Sequence, residues 1–369
     1  MLFNYQTLKN KISQIRYLWN GIRKGIPIIL SGMPDQGVHL FYGYDRLPAF
    51  SEPAHGGMIK IQRLNEVFPH RSRHFNILYM VSSNHPFDAS QLCDIARYKK
   101  AKFVWNQNGV AYPAWMPSGW EEKNAKMARF LHRADYVFFQ SEYAQCCADQ
   151  YLGKRSGPSE ILYNAVDTKL FSPAAQKNIG KNMTLLLIGS QYQSYCLESA
   201  ILALEIIRKD RIHTRLVVVG KVCEHVMVSV RQLICDLRLE DAIEFLPSFT
   251  QSEAVEIFNQ GDILLHTKVQ DVCPGVVIEA MACGVPIVYS SSGGVPELVG
   301  QYGGVGVPTS CSWEERTPPE PELWAEAVLK VAEDISGYSE AVRQRAVERY
   351  DLRSWIERHR QVFSELLSK

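Results

Sequence analysis

The sequence predicts an α/β protein of two domains, each built on a parallel β-sheet, with the two sheets facing a central cleft. The chain has 369 residues, whereas one domain commonly has about 150, so two cores are expected. Strand-like runs alternate with helical patterns in residues 26–141, and a second series of the same kind fills residues 184–290. Such alternation is typical of parallel sheets that carry helices on both faces. A polar, Pro-containing stretch at about residues 173–182 is typical of a boundary between the two domains.

Composition and charge exclude several classes of protein. The 40 basic and 39 acidic residues nearly balance, which argues against a protein that mainly holds nucleic acid. The nine cysteines are odd in number and include no Cys-x-x-Cys pair. We therefore expect buried thiols of a cytosolic protein, and neither a disulfide framework nor a zinc site. The sequence has no apolar run of about 20 residues and no signal-peptide pattern, so we expect a cytoplasmic protein that does not span a membrane.

The first stretch, residues 1–25, has the pattern of a basic amphipathic helix. Its apolar residues recur at intervals of three and four. Its basic residues are Lys9, Lys11, Arg16, Arg23 and Lys24. The apolar face of such a helix packs on its own domain, or it rests on an anionic membrane surface. The sequence leaves both open, so peripheral contact with the inner face of the membrane is an alternative for this cytoplasmic protein.

In the first domain, strand-like runs at 26–30 and 38–42 precede Gly56 and Gly57, which stand before a helical pattern. A glycine turn at a helix N-terminus suits an anion, although most Gly-Gly pairs are only turns. Later strands are predicted at 75–81, 102–106 and 136–141, with helices at about 89–99 and 121–134. Ligands of parallel sheets bind beyond the carboxyl ends of the strands, so the residues that follow these strands, including His85, should line one rim of the cleft.

The second domain repeats the alternation. Strands are predicted at 184–189, 215–220, 243–246 and 262–266, and helices at about 196–208, 226–237 and 251–259. A further helical pattern occupies about 352–367, near the end of the sequence. The second series therefore predicts another parallel sheet with its own cleft-facing rim.

The strongest functional signal lies in residues 271–290, which have the pattern of a tight loop, a helix and a strand. Pro274 fixes its own backbone angle, Gly275 lets backbone approach a ligand, and the first amides of the helix lack partners within it. Free N–H groups at the positive end of a helix dipole suit a phosphate or diphosphate. Apart from Asp271, Glu279 is the only charge in this stretch. A buried carboxylate needs partners, which ligand hydroxyls, a backbone cap or a buried lysine would supply.

Asp271 and Glu279, with seven residues between them, resemble the acid-x7-Glu signature of retaining glycosyltransferases with the two-Rossmann-domain GT-B architecture. The resemblance is to family 4, within glycosyltransferase group 1. The sequel Ser292–Val299 matches the Gly-Gly-x-Pro-Glu segment of that family, and Ile161–Pro173 resembles the linker with which its first domain ends. A joint match over these segments is specific, whereas the spacing of two acids alone would not be.

The resemblance implies a domain organisation and a reaction. Residues 1–173 would form a Rossmann-like acceptor domain, completed by a closing helix at 352–369, and residues 183–345 would form the nucleotide-sugar donor domain. The implied activity is transfer of a sugar, with retention of configuration, from a nucleotide-diphosphate sugar to a hydroxyl of a glycan, a lipid-linked sugar or a small molecule. Synthesis of a cell-surface polysaccharide or glycoconjugate is the implied setting.

The resemblance also implies roles for individual residues. Glu279 would accept hydrogen bonds from ribose hydroxyls, and Asp271 would orient hydroxyls of the transferred sugar. The diphosphate would lie near the glycine loops and the start of the helix, at Gly56, Gly57, Gly189, Gly275, Val276 and Val277. The departing phosphate would take the acceptor's proton on the same face of the sugar, so no protein nucleophile is required. Donors directed at that phosphate stabilise the charge that develops on it.

The sequence departs from the family pattern at two positions that bind the donor diphosphate in the family. The family usually has an arginine directly after Gly189 and a lysine about five positions on, and this sequence has Ser190 and Tyr195 there. The absence of these two cations should weaken donor binding unless another residue supplies positive charge. Lys268, just past a strand end, is the first candidate, and Lys221 is the second. Either lysine could equally be a solvated surface charge.

The acceptor side is less defined. The family often has a histidine where this sequence has Asn108, so no general base is visible there. The other candidates in this domain are His85, Tyr112, Trp115, Met116 and Trp120. Aromatic rings in a cleft often stack on sugars, but a buried ring more often belongs to the core. The sequence has no Asp-x-Asp motif, so we predict neither a divalent metal ion nor another cofactor beyond the nucleotide sugar.

Two alternatives to this enzyme remain. The chain could be a catalytically degenerate scaffold of the same fold that binds a nucleotide or a partner, as the loss of cations at Ser190 and Tyr195 would allow. It could also be another enzyme with two such domains, such as a sugar-nucleotide epimerase or a phosphorylase, because fold alone does not give function.

Overall fold

The computed structural model describes residues 23–49, 52, 56–174, 182–211 and 213–369. No helix in these ranges is both long and apolar enough to cross a membrane. The predicted amphipathic helix over residues 1–25 lies outside the described residues except at its last three positions.

The first domain contains a five-stranded sheet in the order β1-β2-β3-β4-β5, with every pair of neighbours parallel. Each strand therefore needs a crossover, which helices supply. The strands are β1 (Leu40–Phe41), β2 (Ile77–Val81), β3 (Lys102–Gln107), β4 (Tyr136–Phe139) and β5 (Ser159–Ile161). The helices are α1 (23–30), α2 (Gly57–Val67), α3 (Ala89–Tyr98), α4 (Trp120–Arg133) and α5 (Glu142–Tyr151).

The prediction of a strand at residues 26–30 is wrong, because these residues lie in helix α1. The Ser31 amide donates to the Pro27 carbonyl, four residues earlier, as in a helix. Only one side of the helix is buried: Ile28 is 3% exposed, whereas Leu30 is 79% exposed. A short apolar run has no periodicity that separates a strand from a helix, which explains the error.

The second domain contains a six-stranded parallel sheet in the order β11-β10-β9-β6-β7-β8. Its strands are β6 (Thr184–Ile188), β7 (Arg215–Val219), β8 (Ile243–Leu246), β9 (Ile263–His266), β10 (Ile287–Ser290) and β11 (Gly304–Val307). Its helices are α6 (Ser194–Asp210), α7 (Glu224–Leu237), α8 (Gln251–Gln260), α9 (Gly275–Ala282), α10 (Val295–Val299), α11 (Pro321–Glu333) and α12 (Ile335–Arg349). The two parallel sheets confirm the predicted α/β class.

The order of the second sheet reverses at β6. From β6 the chain proceeds outward through β7 and β8, and it then crosses over to β9 and proceeds through β10 and β11 on the other side. The loops that leave β6 and β9 therefore diverge and open a crevice at the carboxyl ends of these strands. Gly189 and Ser190 follow β6, and Lys268 and Asp271 follow β9. The topology thus brings two distant parts of the sequence to one crevice.

Polar contacts join the two domains. The Glu297 carboxylate, at the end of the Gly-Gly-x-Pro-Glu segment, accepts hydrogen bonds from the amides of Glu142 and Tyr143 at 2.8 and 2.9 Å and from the Tyr163 hydroxyl at 2.9 Å. The two amides begin helix α5, so a carboxylate from the second domain satisfies the free N–H groups and the positive end of a first-domain helix.

The final helix, α13 (Leu352–Leu367), returns to the first domain, as predicted. Its residues Trp355 and Phe363 pack in one cluster with Leu40 of the first sheet. His359 is fully buried there, and its Nδ1 lies 2.9 Å from the Trp355 carbonyl. Because a carbonyl can only accept, Nδ1 donates, and Nε2 then accepts from the Tyr79 hydroxyl at 3.1 Å.

Burial lowers the pKa of His359 to about 3 from 6.5, which predicts that the closing helix makes the fold sensitive to acid. Between these values the unfolded chain binds a proton that the folded chain does not, so stability falls as the pH drops below 6.5. From pH 7 to pH 5, His359 should lower the free energy of unfolding by about 2 kcal/mol. In His359→Gln, that part of the pH dependence should be absent when unfolding in urea is followed by circular dichroism.

The matched control is His213→Gln, because His213 is exposed. This variant should lose the same stability on acidification as the unmodified protein. An equal loss between pH 7 and pH 5 in His359→Gln and in the unmodified protein would contradict the assignment of the acid sensitivity to the closing helix.

Candidate functional site

A cleft of about 390 Å³ lies between the two domains. The first domain supplies residues that follow β2 and β3, and the second supplies residues that follow β6 and β9. The polar and charged residues that line it are Ser82, Ser83, Tyr112, Lys123, Ser190, Tyr192, Gln193, Tyr195, Lys268, Gln270, Asp271 and Arg316. The predicted cleft between the carboxyl ends of two parallel sheets is therefore present.

The loop that carries Asp271 is held by close backbone packing against Gly293 and Gly294. The Gly294 amide donates to the Asp271 carbonyl at 2.8 Å. A Cβ at Gly294 would lie 1.9 Å from the Val272 carbonyl oxygen, so any side chain there would displace the loop. The Gln270 amide donates to the Ser292 hydroxyl at 2.9 Å. The Gly-Gly-x-Pro-Glu segment thus fixes the position of the Asp271 carboxylate.

The Asp271 carboxyl is only partly buried, and its Oδ2 lies 3.3 Å from Nε2 of the buried His266. Burial favours a higher pKa, but the adjacent His266 and the charge of Lys268 lower the pKa of Asp271 below its usual range. Asp271 is therefore ionised at neutral pH and can accept hydrogen bonds from ligand hydroxyls. Among the described residues, no three His, Cys, Asp or Glu side chains are grouped so that they could hold a metal ion.

Helix α9 begins at Gly275, directly after the Asp271 loop. Gly275 is exposed, and a Cβ built on it would meet no atom within 4 Å. No packing of the protein therefore explains the glycine, and the space beside it is open to a ligand. Of the three amides predicted to hold a diphosphate, that of Val277 donates to the Pro274 carbonyl at 3.2 Å. The amides of Gly275 and Val276 precede the intrahelical bonds and remain available.

Glu279 lies one turn into α9, and its side chain is 15% exposed. Its Oε1 is 3.6 Å from a guanidinium nitrogen of Arg63, which belongs to α2 in the first domain. Burial raises the pKa of Glu279, and the charge of Arg63 opposes this effect. Arg63 also donates to the Ala165 carbonyl. The partner is thus none of the three that the sequence left open, and no local pattern in the sequence indicated Arg63.

A second buried cation on α2, Lys60, was also missed in the sequence. Its Nζ donates to the side-chain oxygens of Asn106, Asn108 and Gln140 at 2.8, 3.1 and 2.8 Å. Burial lowers the pKa of Lys60 to about 7. The Asn108 amide donates in turn to the Ser83 hydroxyl at 2.6 Å. Lys60 therefore fixes which way the Asn108 amide points, with its N–H groups toward the rim of the cleft.

The local structure explains why glycine stands at both Gly56 and Gly57. Gly56 has a φ of 52°, in the left-handed region. A Cβ at Gly57 would lie 2.7 Å from Val81 Cγ1 and 2.8 Å from the Ser83 hydroxyl oxygen, so α2 begins in close contact with the end of β2. Since Ser83 lines the cleft, the start of α2 also stands beside it.

The acceptor-side candidates separate into two groups. Tyr112 and Trp115 line the cleft, and Trp115 is 46% exposed. His85 instead lies against aromatic rings, 5.4 Å from the centre of Phe130, and is not among the residues that line the cleft. Trp120 packs edge-on against Tyr151 at 5.5 Å.

The candidate cations differ in position. Lys268 lines the cleft, and its Nζ lies 3.7 Å from the place of a Cβ on Gly189. Lys221 is exposed and is not among the cleft-lining residues. A cation that sequence reasoning missed, Arg316, also lines the cleft, with its guanidinium carbon 5.6 Å from the centre of the Tyr195 ring. The sequence around Arg316 has neither a helical nor a strand pattern that we identified. Nothing in the sequence therefore indicated that Arg316 lies at the cleft.

Comparisons with solved structures agree with this architecture. The structure of HepE (Alr3699) from Anabaena in complex with UDP superposes with a TM-score of 0.65 at 18% identity and covers 79% of each chain. Sucrose-phosphate synthase from Thermosynechococcus elongatus superposes with a TM-score of 0.66 at 16% identity, over 80% of this chain and 74% of that one. At this identity the likeness is one of fold, and it confirms the predicted GT-B architecture.

Sequence comparisons match only part of the chain. A D-inositol 3-phosphate glycosyltransferase from Mycobacteroides abscessus is 32% identical over 120 residues, which are 32% of this chain and 25% of that protein. The aligned segment thus spans about a quarter of the curated relative. Residues 169–346 match the family described as glycosyl transferases group 1. The matched range contains the whole second sheet with Asp271, Glu279 and the Gly-Gly-x-Pro-Glu segment.

Proposed function

We propose that this protein is a retaining glycosyltransferase that moves a sugar from a nucleotide-diphosphate sugar to a hydroxyl of an acceptor. The observation that carries the proposal is that the segment matching group 1 places an ionised Asp271 in the cleft and, on the helix directly after the Asp271 loop, an open N-terminus and the buried Glu279. The solved HepE complexes with UDP and with UDP and glucose support a nucleotide-sugar donor.

The nucleoside would lie against the second domain with its ribose at Glu279. Arg63 is nearest to Oε1 of this carboxylate, which leaves Oε2 for the ribose hydroxyls. A carboxylate has about four lone-pair sites, so it can keep Arg63 and accept from the ribose at the same time. The ribose would therefore complete the hydrogen bonding of a carboxylate that its own helix does not satisfy.

The diphosphate would lie between α9 and the loops after β6 and β9. The open amides of Gly275 and Val276 and the dipole of α9 favour an anion there. Lys268, beside Gly189, adds a full positive charge. The Gly56-Gly57 turn at the start of α2 approaches the cleft from the other domain and would close over the phosphates.

In the proposed reaction the bond between the sugar and the phosphate breaks, and the leaving phosphate oxygen takes the proton of the acceptor hydroxyl. The acceptor oxygen bonds to the sugar on the same face, which retains the configuration. Asp271 would hold hydroxyls of the sugar as positive charge develops on the ring, and the phosphate-facing donors would stabilise the negative charge. The amide of Asn108 cannot act as a base, and this scheme needs none. The proposal includes neither a metal ion nor another cofactor.

The acceptor would enter from the first domain, beside Tyr112 and the half-exposed Trp115. A flat ring at the cleft mouth suits a sugar face, so we propose a glycan, a lipid-linked sugar or another polyhydroxy molecule as the acceptor. Synthesis of a cell-surface polysaccharide or glycoconjugate on the cytoplasmic side of the membrane is the setting that we propose, with residues 1–25 as the segment for peripheral membrane contact.

One observation favours a second candidate function. Ser190 and Tyr195 occupy the places of the two usual cations, and both line the cleft. A protein of this fold that binds a nucleotide without transferring a sugar would tolerate that loss. Transfer assays with a donor and an acceptor separate this scaffold from the enzyme.

We predict that one nucleoside diphosphate of the set UDP, GDP, ADP and dTDP stabilises the protein against heat. At a concentration of 100 Kd, a ligand that binds only the folded state adds about 2.7 kcal/mol, which corresponds to roughly 5 °C in Tm. Glu279→Ala should abolish most of that shift, because the ribose loses its acceptor. The measurement is differential scanning fluorimetry of each protein with and without ligand.

The control is Glu256→Ala, which removes an exposed carboxylate from the neighbouring helix α8 and should leave the ligand-induced shift intact. Glu279→Ala leaves Arg63 without its partner, which lowers the Tm of the variant with and without ligand alike. The ligand-induced shift in Tm is therefore compared between proteins, and not the absolute Tm. If none of the four nucleotides stabilises the protein, the donor site and the proposed enzyme are both contradicted.

Asp271→Asn should separate transfer from binding. The amide keeps the shape of the carboxylate but loses its charge, so it no longer stabilises the positive sugar in the transition state. We expect release of the nucleoside diphosphate from its matching nucleotide sugar to fall by about 100-fold or more. The Tm shift with the nucleoside diphosphate alone should persist, since that ligand lacks the transferred sugar that Asp271 would hold. Unchanged turnover in Asp271→Asn would remove Asp271 from the reaction.

A further inference from the structure

Residues 308–320, here called the strap, leave the second sheet after β11 and reach across to the first domain before α11 begins. The Trp313 carbonyl accepts from the Ala114 amide at 2.9 Å. The Trp313 ring stacks on Tyr143, with centroids 5.6 Å apart and an angle of 16°, and it meets Tyr112 edge-on at 5.2 Å. The strap therefore belongs to the second domain in sequence but is anchored on the first.

The strap places Arg316 in the cleft. The Nε of this side chain is buried and has no hydrogen-bond acceptor among the described residues. Arg316 also forms no ion pair with any carboxylate that the structure describes. A buried N–H group without an acceptor costs free energy, as does a cation without an anion. A ligand that brings anionic oxygens to the guanidinium from the cleft would supply the missing counter-charge.

Tyr195 supports the guanidinium. Its hydroxyl accepts from the Val269 amide at 3.1 Å, which fixes the ring, and the Arg316 guanidinium carbon lies 5.6 Å from the ring centre. A guanidinium stacks well on an aromatic face and still presents its planar N–H groups sideways. Tyr195 thus stands where the resemblance implies a lysine, and it positions an arginine that comes from another segment.

We propose that Arg316, supported by Tyr195, binds the diphosphate of the nucleotide sugar and replaces the cations lost at Ser190 and Tyr195. The proposal rests on the proposed function and identifies a binding residue for it. Lys268 lines the same cleft, so the two cations together match the charge of a diphosphate. Because Trp313 anchors the strap on the first domain, Arg316 reaches the phosphates only when the domains are together. Donor binding and domain closure are then coupled.

The test compares Arg316→Gln with the matched control Glu315→Gln, which changes an exposed neighbour on the same strap. Isothermal titration calorimetry would use the nucleoside diphosphate found in the thermal panel, the nucleoside without phosphate, and inorganic pyrophosphate. We expect Arg316→Gln to bind the diphosphate and pyrophosphate roughly 10- to 100-fold more weakly. Affinity for the nucleoside should be unchanged. Arg316→Lys should recover part of the loss, because it restores the charge without the planar fork.

Each outcome decides a different point. Normal affinity of Arg316→Gln for the diphosphate, while the unmodified protein binds it, would overturn the role of Arg316 and leave the proposed function in place. An equal loss for the nucleoside and the diphosphate would also overturn it, because the effect would not concern phosphate. If the unmodified protein binds no nucleoside diphosphate, the proposed function and this inference are both wrong.

A second variant tests whether the strap positions Arg316 at the phosphate site. Trp313→Leu removes the anchor without touching the phosphate site, and we expect it to weaken binding of the diphosphate but not of the nucleoside. In the double variant with Arg316→Gln, the Trp313 change should add no further loss, because both changes remove the same contact. Full additivity, or no effect of Trp313→Leu alone, would overturn the coupling between the strap and the phosphate.

Discussion

The buried charge of Glu279 is the constraint on which the relation of the two domains depends. A carboxylate that is 15% exposed needs a partner, and the cation nearest to it, Arg63, belongs to the other domain. Removing either partner by mutation would leave the other buried without a counter-charge, at a cost of about 3–5 kcal/mol. The ion pair holds helix α9, which carries Glu279, against the first domain. The pair thus defines the shape of the crevice in which we place the donor.

Other contacts between the domains are also polar, beside the aromatic packing of Trp313 on Tyr112 and Tyr143. Glu297 satisfies the first amides of α5, and Asn164 donates to the Cys273 carbonyl at 2.6 Å. Polar contacts of this kind can be exchanged for contacts with water, whereas a large apolar interface could not open without exposing its surface. In the proposed enzyme, these contacts would let the domains separate to admit a donor and close on it again. The same groups that make closure specific also make it reversible.

Much of the fold could be predicted from the sequence, because the hydrophobic periodicity of a helix or strand is visible within the segment that forms it. The closing helix, found at Leu352–Leu367, and most strands of both sheets were predicted for this reason, whereas the short strands β5 and β11 were not. The strand expected at 26–30 failed, since five apolar residues in a row fit either structure.

The site was less predictable, because several of its contacts join segments that are far apart in the chain. The sequence indicated Asp271 and Glu279 through their spacing, and it indicated Lys268 through its place after a strand. It did not indicate Arg63 or Arg316, because nothing local shows that a charge on a helix face or in a connecting segment is opposite a cleft. The partner of a buried charge is a property of the assembled domains, so only the structure supplies it.

Helix α2 shows how one local pattern can serve several purposes at once. Gly57, Lys60 and Arg63 follow one another at intervals of three, which places them along one side of the helix, and all three are buried. Gly57 packs on the end of β2, Lys60 fixes the Asn108 amide, and Arg63 pairs with Glu279. A shift of this helix would therefore disturb Asn108 and Glu279 together, the first on the proposed acceptor side and the second where we place the ribose. For an enzyme that must keep its donor from water until an acceptor is present, a single rigid element that contacts both sides is a direct physical means of linking the two.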